Sequence, residues 1–170
     1  MKTILVGLAA IAAAALGTAV PAQAEELAAS QPAHVYASVG VFDIGDDEEY
    51  ASAAFELGYI HDYDLFFNVR PMIGVMVNTD GGAFGHIGVS RAIFFTDNFL
   101  ARLQAGFGAY HEGGSIDLGQ VFEFREQVEL GYQFDGGDMV SVYFNHLSNA
   151  GMGDRNPGVN TIGLSYSRAF

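Results

Sequence analysis

After its first two dozen residues this chain has no apolar run long enough to cross a membrane as a helix, yet hydrophobic residues recur at alternate positions along most of its length. Period two is the signature of a strand with one apolar face. Read this way, the sequence divides into eight segments: His34 to Ile44, Tyr50 to Ile60, Leu65 to Val77, Ala83 to Ala92, Phe99 to His111, Gly119 to Phe134, Met139 to Ser148 and Val159 to Phe170. Each approaches the length that a tilted strand needs to cross a bilayer. Turn-forming residues separate them, including His61 to Asp64, Asn78 to Gly82, Thr96 to Asn98 and Asp135 to Asp138. Gly, Asn and Asp gather there because tight reversals need positive φ or side-chain bonds to the backbone. Eight strands are the smallest number used by outer-membrane barrels.

The start of the chain reads as an export signal. Lys2 precedes an apolar run, Ile4 to Leu16, too short to span a bilayer, and Ala22-Gln23-Ala24 is a small-x-small cleavage site. The expected organisation is a signal peptide over residues 1–24 and a barrel over 25–170, with Glu25 as the first mature residue. Taking Lys2 from the seven basic residues leaves six against 20 acids, a formal charge of −14. That balance argues against a nucleic-acid partner, which needs a basic surface. With no cysteine there is no disulfide framework and no thiol chemistry.

The expected fold is therefore an all-β, eight-stranded antiparallel transmembrane barrel. Val128, Leu130, Tyr132 and Phe134 alternate with Gln127, Glu129, Gly131 and Gln133, and Ile162, Leu164 and Tyr166 alternate with Thr161, Gly163 and Ser165. A barrel in lipid turns its apolar face outward, and a soluble lipid-carrying barrel turns it inward; periodicity admits both. The final strand, Tyr166-Ser167-Arg168-Ala169-Phe170, resembles the C-terminal strands by which outer-membrane barrels are recognised for insertion. With the N-terminus in the periplasm, the first, third, fifth and seventh connections face outward, a set that contains the longest two.

Arg70, Arg91, Arg102 and Arg125 are expected to pair with lumen carboxylates such as Glu56, Glu123 and Glu129, since a narrow lumen buries unpaired charge at high cost. His34, His61, His86 and His111 lack metal-ligand spacing. The acidic run Asp46-Asp47-Glu48-Glu49 belongs to an outer loop; it reads as a solvated run, or as one that holds cations among lipopolysaccharide phosphates.

Chemistry concentrates near the end of the seventh strand. Val140, Val142, Phe144, His146 and Ser148 share one face, so a strand that turns apolar side chains to lipid ends that same face with a histidine and a serine. A bare polar pair facing acyl chains is costly without partners. At this spacing an imidazole can activate a hydroxyl as general base, and the same pair can equally be an interfacial histidine followed by the first residue of a loop. If the sixth and seventh strands meet through a tight hairpin at Asp135 to Asp138, residues whose numbers sum to about 272–274 face each other, placing Glu126 beside His146 or Ser148.

The longer string His146-Leu147-Ser148-Asn149-Ala150-Gly151, followed by Asn156 and Gly158, resembles the lipid A 3-O-deacylase family of PagL-like outer-membrane enzymes, of acyloxyacyl hydrolase type. The likeness covers about 25 residues, from Tyr143 onward. It implies a carboxylic ester hydrolase in the bacterial outer membrane acting on lipopolysaccharide in the outer leaflet, without metal or organic cofactor. By the same resemblance Ser148 is the nucleophile, His146 its base, and Asn156 an oxyanion-hole donor together with the backbone N–H of Gly151. One departure stands out: where the family carries its catalytic Glu, this chain has Asn160. An Asn can orient a histidine but cannot balance an imidazolium charge. Glu126 is then the alternative acid. The competing reading is a non-catalytic barrel, structural or adhesin-like, and pairing into homodimers is left open.

Overall fold

The computed structural model describes residues 22–45 and 50–170. Most of the expected export signal and the acidic run Asp46 to Glu49 lie outside the described residues. Strands β1 (His34–Phe42), β2 (Ser52–Ile60), β3 (Val69–Asn78), β4 (Ala83–Phe94), β5 (Phe99–His111), β6 (Phe122–Gln133), β7 (Met139–Ser148) and β8 (Val159–Ala169) follow a helix α1 (Ala22–Ala29). The strands pair antiparallel in chain order and close into one barrel. The closing seam runs from His34 opposite Ala169 to Phe42 opposite Thr161. Closure removes the sheet edges that would otherwise leave backbone groups unpaired in lipid.

Polarity settles which kind of barrel this is. Leu57, Leu130 and Leu164 are each 60–62% exposed on the outer surface, while Arg125 and Glu129 inside are 1% exposed. The apolar face is outward, as lipid requires, so the inverted, lipid-carrying arrangement does not apply. The interior is packed throughout. One apolar cluster, with Phe42, Met76, Phe84, Tyr110, Leu118 and Leu147, fills the end where β7 finishes, and a second, with Phe94, Leu100 and Met139, fills the opposite end.

Between these clusters lies a charged network. Arg125 donates to both oxygens of Glu56 (2.9 and 3.1 Å) and to Gln104 Oε1 (2.7 Å). Glu56 also accepts from Tyr36 (2.8 Å) and lies 3.1 Å from His86 Nε2. Arg102 sits 3.8 Å from Glu129, which accepts from Gln104, Gln127 and Ser141. The expected lumen pairing is thus met by Arg125 and Arg102 but corrected elsewhere. Glu123 is fully buried with neither oxygen hydrogen-bonded, Arg91 meets Glu25 (3.2 Å), and Arg70 turns to the helix.

Helix α1 was not expected from the alternation. Its Ala, Glu and Leu favour a helix, though eight residues alone are too few to hold one. Tertiary contacts supply the rest. Ala24 and Ala28 pack on Phe94, Leu100 and Met139, and Arg70 donates to the carbonyls of Ala28 (3.1 Å) and Ala29 (3.0 Å), a cation on the helix C-terminus. The helix thereby covers the barrel end where β1 begins and β8 finishes.

Strand limits shift where backbone geometry overrides alternation. β3 begins at Val69 rather than Leu65, because Phe67 and Asn68 adopt φ of 50° and 60° and turn the chain. β6 begins at Phe122 rather than Gly119, whose φ of 96° likewise breaks the strand.

Candidate active site

The outward face of β7 carries His146 and Ser148 at the end opposite α1, and both are nevertheless buried, 6% and 4% exposed. Strand pairing assembles the neighbours. β6 and β7 pair with residue numbers summing to 272, so Glu126 stands opposite His146 and Phe124 opposite Ser148. On the other side β8 sets Asn160 opposite His146. One row across three strands therefore reads Glu126, His146, Asn160, with Ser148 one step further along β7.

Asn160 Oδ1 lies 2.8 Å from His146 Nδ1. An amide oxygen only accepts, so this contact calls for the tautomer protonated at Nδ1 and leaves the lone pair on Nε2. Nε2 is buried and has no hydrogen-bond partner. The imidazole is thus held with its basic nitrogen free. Ser148 is two strand positions away, a rise of about 6.7 Å along the backbone, and its hydroxyl is not bonded to Nε2 in this conformation. Such bonds commonly tighten only once substrate is bound.

Residues 149–158 form a loop that leaves β7 after Ser148 and returns to His146 at Gly158. Asn149 organises this loop: its Nδ2 donates to the carbonyls of Leu118 (2.9 Å) and Arg155 (2.8 Å), its Oδ1 accepts from Gly151 N (2.9 Å), and its backbone N–H donates to Asn156 Oδ1 (3.1 Å). Asn156 therefore has its carbonyl engaged and its Nδ2 hydrogens left to donate. The Gly151 N–H is bound to Asn149 in this conformation and must exchange that partner before it could meet an oxyanion. Sequence reasoning quoted Asn149 without a role; its signal was the Asn-Ala-Gly turn signature immediately after a strand. The Arg155–Asp117 ion pair, which ties this loop to the one between β5 and β6, was also missed. Asp117 is held below the usual carboxylate range by the Gly119 N–H first and by Arg155 second.

Gly158 leaves room for the ring. Its φ is +67°, and a Cβ there would stand 3.0 Å from His146 Cε1. Gly158→Ala is expected to displace the imidazole and to lower ester hydrolysis by about 10–100-fold. Heat-modifiable migration on gels should remain that of a folded barrel. Unchanged hydrolysis would show that the ring tolerates the shift.

Among the described residues no three His, Cys, Asp or Glu side chains are grouped to hold a metal. His86 is bound to Glu56 in the lumen, and His34, His61 and His111 lie on separate elements.

Together these features define a small outer-membrane β-barrel with His146 and Ser148 buried on the lipid-side face of β7 at one end. The lipid A 3-O-deacylase (PagL) family model matches residues 59–169, and the chain belongs to that family. It is 29% identical over 72 residues to the lipid A deacylase PagL of Bordetella bronchiseptica; the match spans about 40% of each chain. In structure it is similar to the outer membrane enzyme PagL, with a TM-score of 0.60 and 19% identity over 81% of this chain and 99% of that one. It is also similar to the Neisserial surface protein NspA, with a TM-score of 0.52 and 13% identity over 81% and 97% of the two chains. At these identities the structural likenesses speak for the fold alone.

Proposed function

We propose that this chain is an outer-membrane esterase that removes the ester-linked acyl chain at the 3-O position of lipid A, after cleavage of an export signal at residues 1–24, which trims α1 to residues 25–29 and keeps its Ala28 packing and its bonds to Arg70. The observation that carries the reading is the outward-facing His146, held at Nδ1 by Asn160 with Nε2 free, beside Ser148 on the same strand face. Ser148 Oγ attacks the ester carbonyl carbon while its proton passes to Nε2 and the carbonyl π pair moves onto oxygen. Collapse of that intermediate breaks the bond to the sugar oxygen, which takes the proton from Nε2. Water repeats the sequence on the acyl-serine and releases the fatty acid.

Asn156 Nδ2 is the donor for the oxyanion in this scheme. Asn156→Ala is expected to cut kcat by about 10²–10³-fold with a smaller change in KM; an equal loss in KM alone would assign the residue to substrate binding instead.

The test of the function is mass spectrometry of lipid A from cells carrying the chain in their outer membrane, against cells carrying an empty vector. Loss of one hydroxyacyl unit supports the deacylase. Unchanged lipid A, with the barrel confirmed in the outer membrane, favours the non-catalytic barrel, for which Asn160 in place of an acid is the specific argument.

A further inference from the structure

A serine–histidine pair usually draws two services from its third member. One is a hydrogen bond that fixes the imidazole, and the other is a negative charge that stabilises the imidazolium formed when the serine loses its proton. Asn160 performs the first, at 2.8 Å from Nδ1, and as a neutral amide it cannot perform the second. On the opposite flank of the same ring stands Glu126, the residue directly across from His146 in the β6–β7 ladder. Side chains opposed in this way have Cβ atoms about 4.5–5.5 Å apart. The Oε2 atom of Glu126 is buried and has no hydrogen-bond partner, like Nε2 of His146. A carboxylate left without donors on a lipid-facing surface is costly unless a cation answers it. The facing group on β6 is Glu126 itself and on β8 is Asn160, a neutral amide, so the one group of this row that can take up a positive charge is His146.

Building on the esterase reading above, we propose that the acid's work is divided between two strands: Asn160 orients His146, and the Glu126 carboxylate supplies the charge that stabilises its imidazolium. Glu126 touches no reacting atom and acts through His146. It takes no part in the proton's path, which runs from the serine to Nε2 and from there to the departing sugar oxygen. Its charge acts on the ring when attack by Ser148 makes it an imidazolium, and the less water lies between the two the larger the effect.

The experiment uses the full barrel in detergent micelles with a short-chain p-nitrophenyl ester as probe, comparing Glu126→Gln, Asn160→Asp, the double variant and Ser148→Ala. Glu126→Gln removes a charge from a lipid-facing position, so the barrel is expected to fold. Its kcat should fall about 30–100-fold at nearly constant KM, and the acid limb of the pH–rate profile should move about one unit lower. Adding Asn160→Asp to it should recover kcat to within about fivefold, because a charge then stands on the other flank. Asn160→Asp alone should change kcat by less than about threefold, since the wild type already has its charge. A Glu126→Gln enzyme with an unmoved acid limb would overturn the proposal, whether or not kcat falls. So would a gain of about 100-fold from Asn160→Asp alone, which needs no second variant to fold. Activity retained in Ser148→Ala would instead place the nucleophile elsewhere and remove the Ser148–His146 scheme, and the proposal with it.

Discussion

Replacing Ser148 with Ala should lower ester hydrolysis by about 10⁴-fold or more, the largest effect on activity expected of any single change in this chain. Ser148 is the last residue of β7 and is held by backbone pairing to Phe124, so the substitution removes one oxygen and leaves the ladder in place. Cells producing the variant should retain intact lipid A while the barrel accumulates in the outer membrane at wild-type level. His146→Ala should lose nearly as much, and the double variant little more than either alone, because the two side chains act on one proton. A Ser148→Ala barrel that still trims lipid A would place the nucleophile elsewhere.

The largest effect on stability is expected inside the barrel. Arg125 is 1% exposed and joins Glu56, Gln104 and Gln127, and Glu56 in turn holds Tyr36 and His86. Arg125→Met strands a carboxylate in the middle of the lumen, a change that costs about 3–5 kcal/mol when a buried pair is broken from one side. Urea titration of the folded barrel in lipid vesicles should show the midpoint falling accordingly. Arg125→Met combined with Glu56→Gln should lose much less, since no unbalanced charge remains. If the single and double variants are equally destabilised, the network matters for its packing rather than its charge.

The fold was legible because a membrane barrel writes its geometry in period two. Alternation on β6 and β8 identified the apolar rows, the final strand favoured turning them to lipid, and parity on β7 then put His146 and Ser148 on that same face. Hairpin arithmetic around Asp135 to Asp138 put Glu126 within one step of its observed partner. What could not be read depends on contacts between residues far apart in sequence. Arg70 looks like another lumen cation until α1 presents its carbonyls, and Glu123 looks pairable until the barrel closes without a partner for it. Turn geometry was similarly hidden. Phe67 is a good strand residue by propensity, and only its φ of 50° shows that the chain has already turned. At the site, the residue types were visible but not the division of their bonds, in which Asn149 engages the Gly151 N–H and Asn156 keeps its Nδ2 to donate.

The sideways orientation of His146 and Ser148 also decides how such a barrel would meet its substrate. A site that opens onto the hydrocarbon surface collects molecules that diffuse within the same leaflet, so the governing quantity is their number per unit area rather than per unit volume. In mixed micelles, turnover should track the mole fraction of substrate in the detergent and stay level as the whole mixture is diluted with buffer at fixed composition. The crowding of the leaflet, more than the bulk concentration of lipid, would then set the pace at which this protein works.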